Sequence, residues 1–254
     1  MGKIISFANQ KGGVGKTTSA VNVAASLGVL GFKVLLVDLD PQGNATSGVG
    51  IRKKSLTHTI RQVLTEEIPA SEAVVATEFQ NLSIVPANIT LAGAEFDLFQ
   101  EDEAPQDVIK RAFAPLKEEF DYIIFDCPPS LGMLTVNALT ASDGVVIPMQ
   151  CEFYALEGLS QLMITISKIK SNYNSSLNVT GILITMYTNR LLLTQQVKRE
   201  LQKHYAGKLF DQTISRGVKL SEAPGFGKPV YYHDKRSKGA CEYLAVAKEL
   251  ASRI

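Results

Sequence analysis

Residues 10–18 read Gln-Lys-Gly-Gly-Val-Gly-Lys-Thr-Thr, between a short apolar strand predicted over 3–9 and a run at 17–30 whose apolar positions recur at helical spacing. A glycine-rich turn between a strand and a helix constrains the fold more than any other feature of this chain. Glycines let successive N–H groups face phosphate oxygens, and the following helix N-terminus adds its positive end. Residues Lys11, Gly12, Gly13, Val14, Gly15, Lys16, Thr17 and Thr18 are therefore the candidate phosphate-binding set. Lys16 supplies a mobile positive charge, and Thr17 is placed to ligate Mg²⁺. The ordinary phosphate-loop pattern has glycine where this chain has Gln10, and a second lysine, Lys11, stands five residues before Lys16. The bland alternative is a glycine turn with an accidental lysine pair; the strand before it and the helix after it argue against that.

The strand pattern resumes at 34–37, a continuous run of valine and leucine ending in Asp38, as in a parallel strand covered on both faces. Further strands are expected at 82–85, 122–125, 145–148 and 179–186, with helices at 107–119, 156–169 and 195–204. Repeated strand–helix units predict an α/β fold, a doubly wound, mostly parallel sheet flanked by helices. Residues 42–55 and 99–105 read as loops, and no linker or internal repeat divides the chain, so one domain over 1–254 is the expectation. Ligands in such sheets sit beyond the carboxyl ends of the strands, where Asn9, Asp38 and Asp126 would project. The run Tyr-Ile-Ile-Phe-Asp at 122–126 has the form of a strand whose terminal Asp126 holds Mg²⁺ through water. Asp38 and Asp40 close the second strand and bring carboxylates to the same end; simple capping of the strand is the plain alternative.

With 45% hydrophobic residues in 254, the chain is long enough to bury a full core. No stretch approaches the roughly 20 apolar residues that span a bilayer, and no basic start leads into an apolar leader. The expectation is a cytoplasmic protein without a membrane role. Cys127, Cys151 and Cys241 are scattered, as are His58, His204 and His233, so neither a disulfide framework nor a His/Cys metal site is indicated. The net charge of +1 conceals an asymmetry: residues 189–254 hold 13 Lys and Arg against 6 Asp and Glu, leaving 13 against 19 in residues 1–188. The basic last quarter suits a polyanion, although scattered surface lysines would give the same count.

The string KGGVGKTT resembles the deviant phosphate loop of the ParA/MinD superfamily, a branch of the P-loop NTPases. Likeness to the ParA/Soj partition proteins, chromosomal Soj above all, extends end to end: VDLDPQGNATSGVG at 37–50, LAGAE at 91–95, VNALTAS at 136–142, QCEFYALEGLSQL at 150–162, LSEAPGFGKP at 220–229 and DKRSKG at 234–239. This resemblance implies an ATPase that forms an ATP-dependent sandwich homodimer, hydrolyses ATP to ADP and phosphate slowly with Mg²⁺, and answers to a ParB-type partner in chromosome or plasmid partition. It implies that Lys11 reaches the partner subunit's phosphates, where a cation offsets the repulsion of facing triphosphates. It also implies that Asp40 polarises the attacking water, that Asp38 assists the metal shell, and that 42–46 form a nucleotide-sensitive switch. Lys11, Lys16 and Asp40 are then the catalytic set, and Thr17, Asp38 and Asp126 the metal set.

By the same resemblance, residues 214–220 pack on adenine. Relatives commonly carry proline and asparagine where this chain has Ser215 and Gly217, and these two are assigned to the nucleotide on backbone contacts. Arg190, Arg216, Lys219 and Arg236 match basic positions of a nonspecific double-stranded DNA surface, implying association with the nucleoid in the ATP state. Phosphate contacts of this kind give salt-dependent, sequence-independent affinity.

Two other readings share the loop. A MinD-like membrane-cycling ATPase needs a C-terminal amphipathic helix with a basic face, and the residues from 243 onward read as a packing helix instead. An Fe-protein-like reductase needs suitably spaced thiols to share a cluster between subunits, and neither Cys127 nor Cys151 has that spacing.

Overall fold

The computed structural model describes residues 1–94 and 104–254. Its seven strands are β1 (Lys3–Phe7), β2 (Val34–Asp38), β3 (Val75–Ala76), β4 (Leu82–Val85), β5 (Tyr122–Asp126), β6 (Gly144–Gln150) and β7 (Asn178–Thr185). The described helices are α1 (Lys16–Val29), α2 (Asn44–Gly48), α3 (Ile60–Leu64), α4 (Val108–Phe113), α5 (Met133–Ala141), α6 (Ala155–Asn172), α7 (Leu192–Tyr205), α8 (Val218–Glu222), α9 (Val230–His233) and α10 (Lys238–Arg253), with short 3-10 turns between them.

The strands form one sheet in the order β3-β4-β2-β5-β1-β6-β7, parallel except for the edge pair β3–β4. Period-two alternation divides each central strand between two cores. Ile4, Leu35, Val37, Ile123 and Phe125 face the layer that contains α4, α5 and α6. Ile5, Phe7, Leu36 and Ile124 face α1 and α10. Burial on both faces is why β2 and β5 read as unbroken apolar runs.

β5 is inserted between β1 and β2, so the chain leaves β1 toward one edge, returns through β5, and continues to the other edge through β6 and β7. The carboxyl ends of β1, β5 and β2 are thereby neighbours: Phe7 is registered with Asp126, and Asp126 with Asp38. This reversal point brings the glycine loop and two acidic strand ends together.

Several elements differ from the sequence expectation. The helix expected over 107–119 stops at Phe113 and continues as a 3-10 turn at Pro115–Glu118, because Pro115 lacks the N–H a helix needs. The region expected as a loop at 42–55 contains α2 and a 3-10 turn at Lys53–Ser55. α5 and the two-residue β3 had no counterpart. The expected loop at 99–105 falls mostly outside the described residues, as does Glu95 of the LAGAE string.

Candidate nucleotide site

Gly13 and Gly15 have φ of +74° and +83°, backbone conformations that an L side chain rarely adopts, and Gly15 is the N-cap of α1. These turns direct the loop carbonyls outward, where other residues hold them. Lys11 O accepts from Lys16 Nζ at 3.0 Å, Gly13 O from Gln150 Nε2 at 2.7 Å, and Val14 O from Thr185 Oγ1 at 2.7 Å. None of the N–H groups of residues 12–18 donates to a described residue. With its carbonyls tied back and no side chain capping α1, the loop is a concave row of free donors at the positive end of a 14-residue helix. Such a row is built for an anion of several oxygens.

Lys16 is 7% exposed; burial lowers its pKa, and Asp126 foremost among the nearby acidic groups works against that shift. Asp126 is fully buried with neither carboxylate oxygen hydrogen-bonded. Burial first, then the charge of Asp38, raise its pKa well above the carboxylate range, while the nearby Thr17 hydroxyl and Lys16 act in the other direction. A buried acid without donors costs free energy unless a cation joins it. The Thr17 hydroxyl and the two open oxygens of Asp126 fit a hard divalent cation that keeps part of its water shell.

Asp38 is equally buried but saturated. Oδ2 accepts from Thr46 N at 2.8 Å and Thr46 Oγ1 at 2.7 Å, and Oδ1 accepts from Asp40 N at 3.2 Å. Burial raises its pKa to about 6 although these bonds oppose the shift. Thr46 Oγ1 also accepts from Ala87 N at 2.9 Å, so Asp38 ties the segment 40–46 to the end of β4. Asp40 is only partly buried, and its Oδ1 accepts from Gln42 N at 2.9 Å. No described residue donates to its other oxygen.

Lys11 is exposed and ion-paired with Glu152 of the same chain. Ser215 and Gly217 line a cavity of about 230 Å³ together with Gly15, Thr18 and Tyr243, so these two residues adjoin the glycine loop. The basic residues are brought together only in part. Arg190 and Arg216 line one cleft of about 970 Å³, joined by Lys238. Lys219 and Arg236 are exposed outside its lining, and Lys219 is paired with Glu222 at 2.9 Å. Sequence reasoning assigned no role to Gln150, Thr185 and Glu242, all of which act through partners distant in the chain.

Cys127 is buried, and burial and the adjacent Asp126 push its thiol up to about 12; Cys151 is raised to about 11 by burial. Neither is poised as a thiolate. Tyr243, Val246, Ala247 and Leu250 of α10 lie in the core, so the apolar face of this helix is consumed inside the fold. No described helix is long and apolar enough to cross a membrane.

A doubly wound parallel sheet, a donor-lined glycine loop and a buried acid awaiting a cation together define a P-loop α/β protein. The AAA domain family model matches residues 2–179. The chain is 51% identical over 253 residues to the sporulation initiation inhibitor protein Soj of Bacillus subtilis, covering 99% of both, and 49% identical over 253 residues to the chromosome partitioning protein ParA of Myxococcus xanthus, covering 100% of this chain and 89% of that one. Among solved structures, the cobyrinic acid a,c-diamide synthase of Mycobacterium smegmatis with bound ADP and magnesium superposes with a TM-score of 0.85 at 37% identity, over 98% of this chain and 93% of that one. The chain belongs to the Soj/ParA family of chromosome-partitioning proteins.

Proposed function

We propose that residues 1–254 form a single ATPase domain that binds Mg²⁺ and ATP at the loop 11–18, pairs with a second copy in the ATP state, and in that state binds double-stranded DNA without sequence preference. The observation that carries this reading is the loop with its N–H groups free beside Asp126, whose buried carboxylate oxygens accept no hydrogen bond.

Thr17 and Asp126 hold Mg²⁺, with Asp38 as a second carboxylate one strand away. Held there, Mg²⁺ would supply positive charge against the phosphates. Loop N–H groups and Lys16 cradle the phosphates, and Ser215 and Gly217 lie against the base. Asp40 orients the attacking water, which for phosphoryl transfer asks for position more than basicity. Because Asp38 anchors Thr46, a change in charge at the metal reaches the switch segment 40–46 directly.

Lys11 leaves Glu152 and engages the phosphates of the second copy. Arg190 and Arg216 contribute to the DNA surface with Lys238, while Lys219 and Arg236 contribute from outside the cleft. A ParB-type partner accelerates a slow basal hydrolysis and returns the protein to its DNA-free form, so the ATP state resides on the nucleoid in the cytoplasm.

The test is DNA co-sedimentation of Asp40→Ala with ATP, with ADP and without nucleotide across a salt series. Binding confined to ATP and falling steeply with salt is the expected result. DNA binding indifferent to nucleotide, or absent throughout, contradicts the reading.

A further inference from the structure

Ser215 is gripped from one direction by a single buried side chain. Its amide donates to Glu242 Oε2 at 2.8 Å and its hydroxyl to Glu242 Oε1 at 2.7 Å. Glu242 is 7% exposed and sits in α10 beside Tyr243, whose hydroxyl is 3.1 Å from Ser19 Oγ in α1. Lys238, one turn earlier, comes within 3.7 Å of Glu242. A nearly dry carboxylate with both oxygens given to one residue of a loop is a costly arrangement unless that loop must be held.

The gripped segment is a partition. On one side is the 230 Å³ cavity that opens on Gly15 and Thr18 of the phosphate loop; on the other is the 970 Å³ basic cleft. Ser215 and Arg216 line both. The segment is also tied to β7, where Ile214 N donates to Ile184 O at 2.9 Å and Tyr187 N to Ile214 O at 2.8 Å. Those bonds and the bridge between Tyr187 and Ser215 hold the backbone of the segment; Glu242 adds the side-chain grip on the Ser215 amide and hydroxyl. A proline at 215 would have neither N–H nor hydroxyl, so the clamp depends on the serine of this chain.

We propose that Glu242 is a positioning residue for the nucleotide base: it fixes the wall formed by Ser215 and thereby sets the affinity contributed by the base and not that contributed by the phosphates. This rests on the nucleotide-binding reading above. Inorganic tripolyphosphate separates the two, because it engages the loop 11–18 and has no base.

The experiment is calorimetric titration of the full chain with MgATP and with magnesium tripolyphosphate, for wild type, Glu242→Ala, Glu242→Gln, Ser215→Ala and the double variant Ser215→Pro/Glu242→Ala. Loss of a buried, charge-assisted pair of hydrogen bonds should weaken ATP about tenfold in Glu242→Ala and leave tripolyphosphate unchanged. Glu242→Gln, which keeps an acceptor, should recover most of that affinity. The double variant, with no amide left unpaired, should bind ATP more tightly than Glu242→Ala alone. Ser215→Ala keeps the amide bond and should lose about threefold, which serves as the deciding variant if Glu242→Ala does not fold. An equal loss for ATP and tripolyphosphate, or no loss of ATP affinity in both Glu242→Ala and Ser215→Ala, overturns the role of Glu242. Wild type that binds neither ligand instead overturns the nucleotide-binding reading itself.

Discussion

At the phosphate end of the cleft, residues 9–18 fold against the ends of three adjacent strands, and Lys16 and Asp126 are sealed from solvent. At the base end, residues 214–217 belong to the irregular segment between α7 and α8, held by a bridge to Tyr187 and by one carboxylate. The phosphate end stores an unmet electrostatic demand: two buried acids in register on neighbouring strands, one of them without a donor. At the base end Ser215 is paired with Glu242, and none of its buried side-chain polar atoms lacks a partner among the described residues. A ligand should therefore stabilise the first by supplying charge and the second only by filling space. On the proposed reading, the phosphate end would fix whether a nucleotide binds and the base end which one.

The largest effect that would sharpen this contrast is Lys16→Ala. Loss of a buried cation aimed at the phosphates should lower kcat for ATP hydrolysis roughly 10²–10³-fold. A decrease of less than tenfold in steady-state hydrolysis would break the claim that the phosphate end dominates.

Next comes the stability of the ligand-free protein. Burial raises the pKa of Asp126 and of Asp38, the latter from 3.8 to about 6, so the fold favours the protonated acids. Relative to the unfolded chain, this preference costs nothing below the ordinary carboxylate pKa, and the cost grows as pH rises through the folded values. Without Mg²⁺, thermal stability should thus fall as pH rises from 3.8 toward about 6. Asp126→Asn should reduce the slope and stabilise the ligand-free protein near neutrality by about 1–3 kcal/mol. Calorimetric scans across pH check both, and an unchanged slope would argue that Asp126 is not strained in the free protein.

The smallest effect concerns Lys11. Its pair with Glu152 is exposed and worth under about 1 kcal/mol. Glu152→Gln should then favour the ATP dimer by no more than about fivefold, measured by sedimentation velocity. A much larger shift would mean that the pair restrains the monomer more than its exposure suggests.

The two ends also differ in how much of them could be read beforehand. The glycine loop, Asp38 and Asp126 lie in contiguous strand-and-turn strings, so local pattern and fold rule together place them at the carboxyl ends of neighbouring strands. β4 was expected at its observed bounds for the same reason. What supports the loop was not visible, because Gln150 and Thr185 reach it from 137 and 171 residues away. The Glu242–Ser215 clamp spans 27 residues and leaves no periodic trace. α5 escaped notice for a different reason: seven of its nine residues are buried, so it has no polar face to betray a helical period. Five-residue α2 is too short to show one.

The central claim is that Asp126 and the open loop form one site for a metal-bound polyphosphate. Calorimetric titration of ATP into wild type and Asp126→Asn, each with Mg²⁺ and with excess chelator, tests it most directly. Wild type should bind ATP at least about tenfold more tightly with Mg²⁺, and Asp126→Asn should lose that difference. Equal affinity of wild type with and without the metal, or a Mg²⁺ dependence that survives in Asp126→Asn, would contradict it.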